Sequence, residues 1–209
     1  MGEPYYSDEF VTIYHGDCRE FGLLGDVTVT DPPYGIGYRT PPSAKRPKSG
    51  DTVEGDEEPF DPSHLLSDRP TVLWGAHHYA DRLPSSPGWI VWDKREGMPP
   101  NDQGDADLAW TNFLGAVRTI RVLWNGGGSL LAENGPARSI HPTQKPLRLL
   151  VKTLLMCPPG VVFDPYVGTG TGLVAAKNLS RKAIGIELKE RYCEIAANRC
   201  SQGVLALGS

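Results

Sequence analysis

The tetrapeptide Asp31-Pro32-Pro33-Tyr34 closes the apolar run Val27-Thr28-Val29-Thr30. Two consecutive prolines have no backbone N–H and cannot continue a strand or helix interior. A strand over 27–30 must therefore stop, leaving a carboxylate, bare carbonyls and an aromatic ring at its C-terminal edge. That edge is where open α/β sheets place their ligands. A carboxylate and a carbonyl can both accept from an exocyclic amino group while the tyrosine stacks on the ring that carries it. The same residues would also serve as a Pro-rich turn with Tyr34 as filler, so a second signal is needed to decide.

That signal lies downstream in Val161-Val162-Phe163-Asp164-Pro165-Tyr166-Val167-Gly168-Thr169-Gly170-Thr171-Gly172. The β-branched and aromatic start suits a buried parallel strand. Gly168, Gly170 and Gly172 allow a tight turn and close approach to a ligand, and Thr171 can open a helix running to Ser180. The next apolar strand, Ala183-Ile184-Gly185-Ile186, ends in Glu187. An acid closing the following strand is where nucleotide-binding α/β units hold ribose hydroxyls. The Gly-x-Gly-x-Gly spacing is not the dinucleotide fingerprint. A strand before, an acid after and Asp164 at the lip point to a nucleoside cofactor.

Asp-Pro-Pro-Tyr together with Asp-Pro-x-x-Gly-Thr-Gly-Thr resembles the S-adenosylmethionine-dependent amino-methyltransferases that act on DNA. The catalytic tetrapeptide comes first and the cofactor loop last, as in the circularly permuted β-class. Ile13-Tyr14-His15-Gly16-Asp17-Cys18 is similar to the family's segment before the catalytic strand, and His141-Pro142-Thr143-Gln144-Lys145-Pro146 to the segment before the cofactor loop. Trp89-Ile90-Val91-Trp92-Asp93-Lys94-Arg95 and Asp107-Leu108-Ala109-Trp110 are similar to segments of small, phage-like members. The resemblance implies an α/β, Rossmann-like, seven-stranded methyltransferase sheet with helices on both faces.

It also implies roles. Asp31, Pro32, Pro33 and Tyr34 would be catalytic. Glu187 would bind ribose, Asp17 the adenine amino group, and Asp164 the methionine ammonium. Thr143 and Lys145 are candidates for the methionine carboxylate, although Lys145 would equally serve as a solvated residue at a helix start. Pro165, Gly168, Gly170 and Thr171 would form the cofactor loop. S-adenosyl-L-methionine would be the cofactor and a flipped base of double-stranded DNA the substrate, adenine N6 before cytosine N4. Asp rather than Ser at position 31 favours adenine by resemblance only. RNA or protein-glutamine methylation is more distant. A catalytically silent DNA-binding module and a dehydrogenase are the alternatives from other classes; the intact Asp31, Tyr34, Asp164 and Glu187 weigh against the first, and the second has no hydride-transfer site.

A chain of 209 residues is expected to form one methyltransferase domain over 1–209. Seven apolar segments are expected as strands, near 11–14, 27–30, 71–74, 89–92, 120–124, 161–164 and 183–187. A helix beginning near Lys145 would bury Leu147, Leu150, Val151 and Leu154. Another from about Leu188 would carry Tyr192 and Ile195 on its stripe. Weaker helices are expected near 62–68, 76–83 and 106–117. Trp89, Trp92, Trp110 and Trp124 read as core, and His77 and His78 receive no role.

The net charge of −4 is unusual for a DNA binder, but it is unevenly spread. Arg39, Lys45, Arg46 and Lys48 occupy a stretch without acids, directly followed by Asp51, Glu54, Asp56, Glu57, Glu58 and Asp61. The basic half could hold substrate phosphates, or the whole could be a solvated, charge-balanced loop. Loops 38–61, 93–106 and 125–140 are the candidate DNA-recognition insertions. The four cysteines have no Cys-x-x-Cys spacing, so no metal site is expected. No signal peptide and no long apolar run is read, so a cytoplasmic protein away from membranes is expected. A homodimer would extend the reach of so small a DNA-reading protein.

Overall fold

A computed structural model describes residues 2–37, 56–99, 104–124 and 144–202. Its centre is one nine-stranded sheet in the order β1-β2-β9-β8-β3-β4-β6-β5-β7. The strands are β1 (Tyr6–Ser7), β2 (Val11–His15), β3 (Val27–Thr30), β4 (Thr71–Trp74), β5 (Gly88–Asp93), β6 (Ala106–Thr111), β7 (Arg118–Arg121), β8 (Val162–Asp164) and β9 (Ala183–Glu187). From β2 through β9, β8 and β3 to β4 every pairing is parallel. β6 runs antiparallel to both β4 and β5, and β1 antiparallel to β2.

All seven expected strands form, the fifth over 118–121, with β1 and β6 in addition. The expected helix over 106–117 is overturned: Ala106–Thr111 is β6, with Trp110 paired against both Leu73 and Trp89. Two flanking strands supply backbone partners and aromatic contacts that outweigh the local preference of Ala106-Asp107-Leu108-Ala109. The weak helices near 62–68 and 76–83 shrink to 3₁₀ turns at Ser63–Leu65, Ala76–His78 and Ala80–Arg82.

Strand alternation divides the core between the two faces. One face carries Val11, Ile13, Val27, Val29, Val72, Trp74, Ile90 and Trp92 beneath α2 (Leu147–Met156), α3 (Thr171–Asn178) and α4 (Glu190–Ser201). The other carries Leu73, Trp110, Phe163 and Ile186 beneath α1 (Cys18–Phe21) and the 3₁₀ turns. α2 buries Leu147, Leu150, Val151 and Leu154 as expected. On α4 the buried stripe is Cys193, Ala196 and Cys200, one residue on from the expected Tyr192 and Ile195, and Leu188 is exposed. All four cysteines are free. Among the described residues no helix is long and apolar enough to cross a membrane.

The chain leaves β8 through α3 to β9 on one side and leaves β3 toward β4 on the other. The sheet's switch point therefore lies between β8 and β3, at the carboxyl ends of both. The turn there is tight. Gly170 has φ +81°, and a Cβ on it would stand 2.8 Å from the Ala196 Cβ of α4. Gly170→Ala combines a left-handed backbone with overpacking, an expected loss of about 2 kcal/mol. A thermal melt checks this, with Tm expected to fall by about 5 °C.

Candidate active site

The two sequence signals meet because β3 and β8 are neighbours, with Val27 beside Val162 and Thr28 beside Phe163. The Thr30 hydroxyl, the last side chain of β3, donates to Asp164 Oδ1 of β8 at 2.7 Å. Both strand ends open into one cavity of about 1030 Å³, lined among others by Asp17, Asp31, Tyr34, Gly168 and Glu187. A smaller cavity of about 70 Å³ beside it reaches Trp74, Asp164, Thr169 and Thr171.

At the catalytic edge, the Tyr34 hydroxyl donates to Asp31. The Lys145 ammonium donates to both Asp31 oxygens, at 2.8 and 2.9 Å, and to the Tyr34 oxygen at 2.7 Å. Lys145, expected on the cofactor side, thus turns toward Asp31, and a second carboxylate, Asp107 of β6, stands 3.4 Å away. Burial works against this ammonium, but the Asp31 and Asp107 charges outweigh it and hold its pKa above the usual lysine range. Asp107 is itself buried, yet Lys145, Lys94 and His77 keep its carboxyl below the usual range. Burial, followed by the Asp31 charge, pushes the Tyr34 phenol well up, so it stays a donor.

Tyr34 is held by its surroundings. Gly75 has φ +70°, and a Cβ there would fall 1.9 Å from the tyrosine ring. His78 stacks on that ring at a centroid distance of 4.9 Å and 21° between planes. Burial lowers the pKa of both His77 and His78, so the stacked imidazole is neutral near pH 7. Behind the tetrapeptide, buried Asp56 accepts from the backbone N–H of Tyr34, Gly35 and Ile36 at 2.9, 2.7 and 3.2 Å. Three amides on one oxygen fix the path of the chain out of the catalytic edge.

On the cofactor side, Glu187 accepts from the N–H groups of Gly168 and Lys189, at 2.8 and 2.9 Å, and burial pushes its carboxyl up. Asp17 caps α1 and accepts from Arg19, which lowers its pKa. Pro165 lines the large cavity. Thr171 lines the small one, its hydroxyl accepting from Arg199. Gly170 faces Ala196 and acts through the turn. Asp164 is 4% exposed, and burial pushes its carboxyl up to about 7. Thr143, Arg39, Lys45, Arg46 and Lys48 lie outside the described residues.

Several site residues were assigned no role from the sequence. Asp107, His77, His78 and Asp56 acquire their positions only from strand pairing and loop packing. Trp92 and Trp124, expected as core, also line the large cavity, with Lys94 5.0 Å from the Trp92 ring. Among the described residues no group of three His, Cys, Asp or Glu could hold a metal ion.

Comparison with known proteins bears on this geometry. A family model described as DNA methylase matches residues 120–198. The Type II methyltransferase M.ScaI of Streptomyces caespitosus is 26% identical over 95% of this chain and 84% of its own length. The Type II methyltransferase M.HinfI of Haemophilus influenzae is 45% identical over 30% of this chain and 18% of its own. The fold is shared with the M1.HpyAVI–SAM complex (TM-score 0.52, 23% identity, 90% of this chain and 99% of that one). It is also shared with the cytosine-N4-specific PvuII DNA methyltransferase (TM-score 0.63, 15% identity, 98% and 91%). The sheet, with its ligand-facing strand ends, is a Rossmann-like methyltransferase fold. More particularly, these matches support an S-adenosylmethionine-dependent amino-methyltransferase of the N6/N4 DNA-methylase type.

The raised Asp164 carboxyl has a stability consequence. Between its unfolded pKa near 3.8 and about 7, the unfolded chain releases a proton that the folded chain retains. Folding therefore loses stability at this residue as pH rises through that window. Asp164→Asn removes the term, so its Tm relative to the parent is expected to rise from pH 4 to pH 7 and then level off. Paired melts across that range check it.

Proposed function

We propose that the chain transfers a methyl group from S-adenosylmethionine to the exocyclic amino group of a base flipped out of double-stranded DNA, with adenine N6 as the target. The observation that carries this is the single cavity onto which Asp31 and Tyr34 of the β3 edge and the glycine loop after β8 both face.

The residues present suit the cofactor. Both Glu187 oxygens accept from backbone N–H groups, and the carboxylate has further lone pairs for ribose hydroxyls. Asp17 lines the same cavity for the adenine amino group. Gly168 has open space where a Cβ would stand, so a ligand can approach its backbone. In the small cavity Asp164 provides a carboxyl for the ammonium. The Trp74 indole N–H there is buried with no hydrogen-bond partner among the described residues, and a carboxylate oxygen would satisfy it. Thr143 is proposed to join it. When bound, S-adenosylmethionine supplies an electrophilic sulfonium methyl.

The chain contributes position and charge. The target amine is conjugated to its ring and is a poor nucleophile. Asp31 and a carbonyl near Pro32 accept its hydrogens, drawing the nitrogen toward tetrahedral geometry and freeing its lone pair. Orientation for in-line attack supplies much of the rate. The same fixed carboxylate stabilises the positive charge that builds on nitrogen. A base that has left the duplex would stack on Tyr34 by displacing His78 from its ring face. Asp31 afterwards takes the proton or passes it to water.

Arg39, Lys45, Arg46 and Lys48 are proposed to meet DNA phosphates, and loops 38–61, 93–106 and 125–140 to read the sequence. A dimer would widen that footprint. Action on DNA implies the cytoplasm of a bacterial or phage-infected cell.

The test is transfer of labelled methyl to unmethylated bacterial DNA, with the nucleosides then separated by mass. N6-methyladenine is expected; N4-methylcytosine would keep the chemistry and change the substrate. Asp31→Ala is expected to abolish transfer with cofactor affinity nearly unchanged. Activity surviving that substitution would sink the mechanism.

A further inference from the structure

Lys145 has two carboxylates within reach of one ammonium, Asp107 buried and Asp31 half-buried. Its Nζ lies 2.8 Å from Asp31 Oδ1 and 3.4 Å from Asp107 Oδ2. The three residues come from the β3 edge, β6 and the segment before α2, so only the folded sheet assembles them. Asp107 is prepared to receive a cation on one side. Its Oδ1 accepts from the Leu108 N–H at 2.9 Å and faces His77 Nδ1 at 3.5 Å, while Oδ2 points to the lysine.

On the functional reading above, on which this inference rests, the lysine seat on Asp31 competes with the chemistry. Lys145 occupies a lone pair on each Asp31 oxygen, and the Tyr34 hydroxyl takes another on Oδ1. Few acceptor sites remain for a target amine. The charges also conflict. In the transfer the nitrogen lone pair forms the new N–C bond, the C–S electron pair returns to sulfur, and the positive charge moves onto nitrogen. An ammonium fixed on Asp31 cancels the carboxylate charge meant to meet it. A lysine stem is flexible, and a short displacement of Nζ toward Asp107 leaves the ammonium with a counter-ion throughout. A buried cation without such a partner would be strongly disfavoured.

We propose that Asp107 is a positioning residue that receives Lys145 when the target amine enters, so that the ammonium sits on Asp31 in the free enzyme and on Asp107 during methyl transfer. In the first seat Lys145 stands in for the substrate amine and keeps the half-buried carboxylate paired. In the second it releases Asp31 to the base, and the methylated nitrogen gives up its proton to the freed carboxylate and then to water.

The experiment compares the parent, Asp107→Asn and the pair Asp107→Asn/Lys145→Met on unmethylated bacterial DNA. Asp107→Asn keeps the shape and an acceptor but removes the charge, stranding Lys145 on Asp31. Its kcat is expected to fall about ten- to a hundredfold. The dissociation constant for S-adenosylhomocysteine, read by calorimetry, is expected to move by less than about twofold. The double variant removes both charges, so it remains informative if the single variant folds poorly. It is expected to be faster than Asp107→Asn alone, because the obstruction has gone. A double variant no faster than the single one, or a single variant as fast as the parent, overturns the proposal while leaving the methyltransferase reading intact. A parent that labels no DNA overturns that reading and this proposal together.

Discussion

The parallel pairing of β3 with β8 brings together two segments that are far apart in the chain, and the site depends on it. With Val27 beside Val162, each strand presents its terminal residues at the same edge, and the Thr30–Asp164 hydrogen bond ties them. A slip of one residue would turn every side chain of β3 to the opposite face, moving Val27 and Val29 out from beneath the helices. The hydrophobic register therefore also sets the chemical one. Asp31 begins where the ladder ends, and its two prolines keep the following chain from pairing further.

Around that edge the protein accumulates charge in a place where charge is expensive. Asp31, Asp107, Lys145, Lys94 and His77 share one region, with Asp107 and Lys145 buried. Buried ion pairs are weak contributors to stability, since desolvation offsets most of their attraction. Their presence here is better accounted for by what they orient: a phenol kept protonated, an ammonium held between two acids, and a neutral imidazole, His78, stacked against Tyr34.

The sequence was most legible where one residue type has one physical consequence. Asp31-Pro32-Pro33 must end a strand, Gly170 must turn, and the stripe of Leu147, Leu150, Val151 and Leu154 must be buried. It was least legible where the outcome depends on a distant partner. Ala106–Thr111 reads locally as a weak helix, yet lies between two strands that complete its hydrogen bonds. On α4 the small residues Cys193, Ala196 and Cys200 are buried in preference to Tyr192 and Ile195, and at Ala196 the close approach of Gly170 leaves room only for a small side chain. Lys145 stands in a recognisable segment, but nothing nearby in the chain says that its ammonium will meet Asp31. Asp56 sits in a run of acids that looks solvated, and only the fold shows that it binds three amides. Asp107 and His78 lie in segments with no local pattern for such contacts.

The Asp56 contacts also have a modular consequence. Besides its side-chain bonds to residues 34–36, its carbonyl accepts from the Gly37 N–H at 2.8 Å. The chain leaving the catalytic edge and the chain returning to it are thus clasped at one point. Whatever lies between them is a closed excursion whose ends are already joined. Lengthening such an excursion adds only slowly to the entropy of closing it. The join between Gly37 and Asp56 therefore holds the backbone beside Asp31 in place independently of the length of chain that separates them.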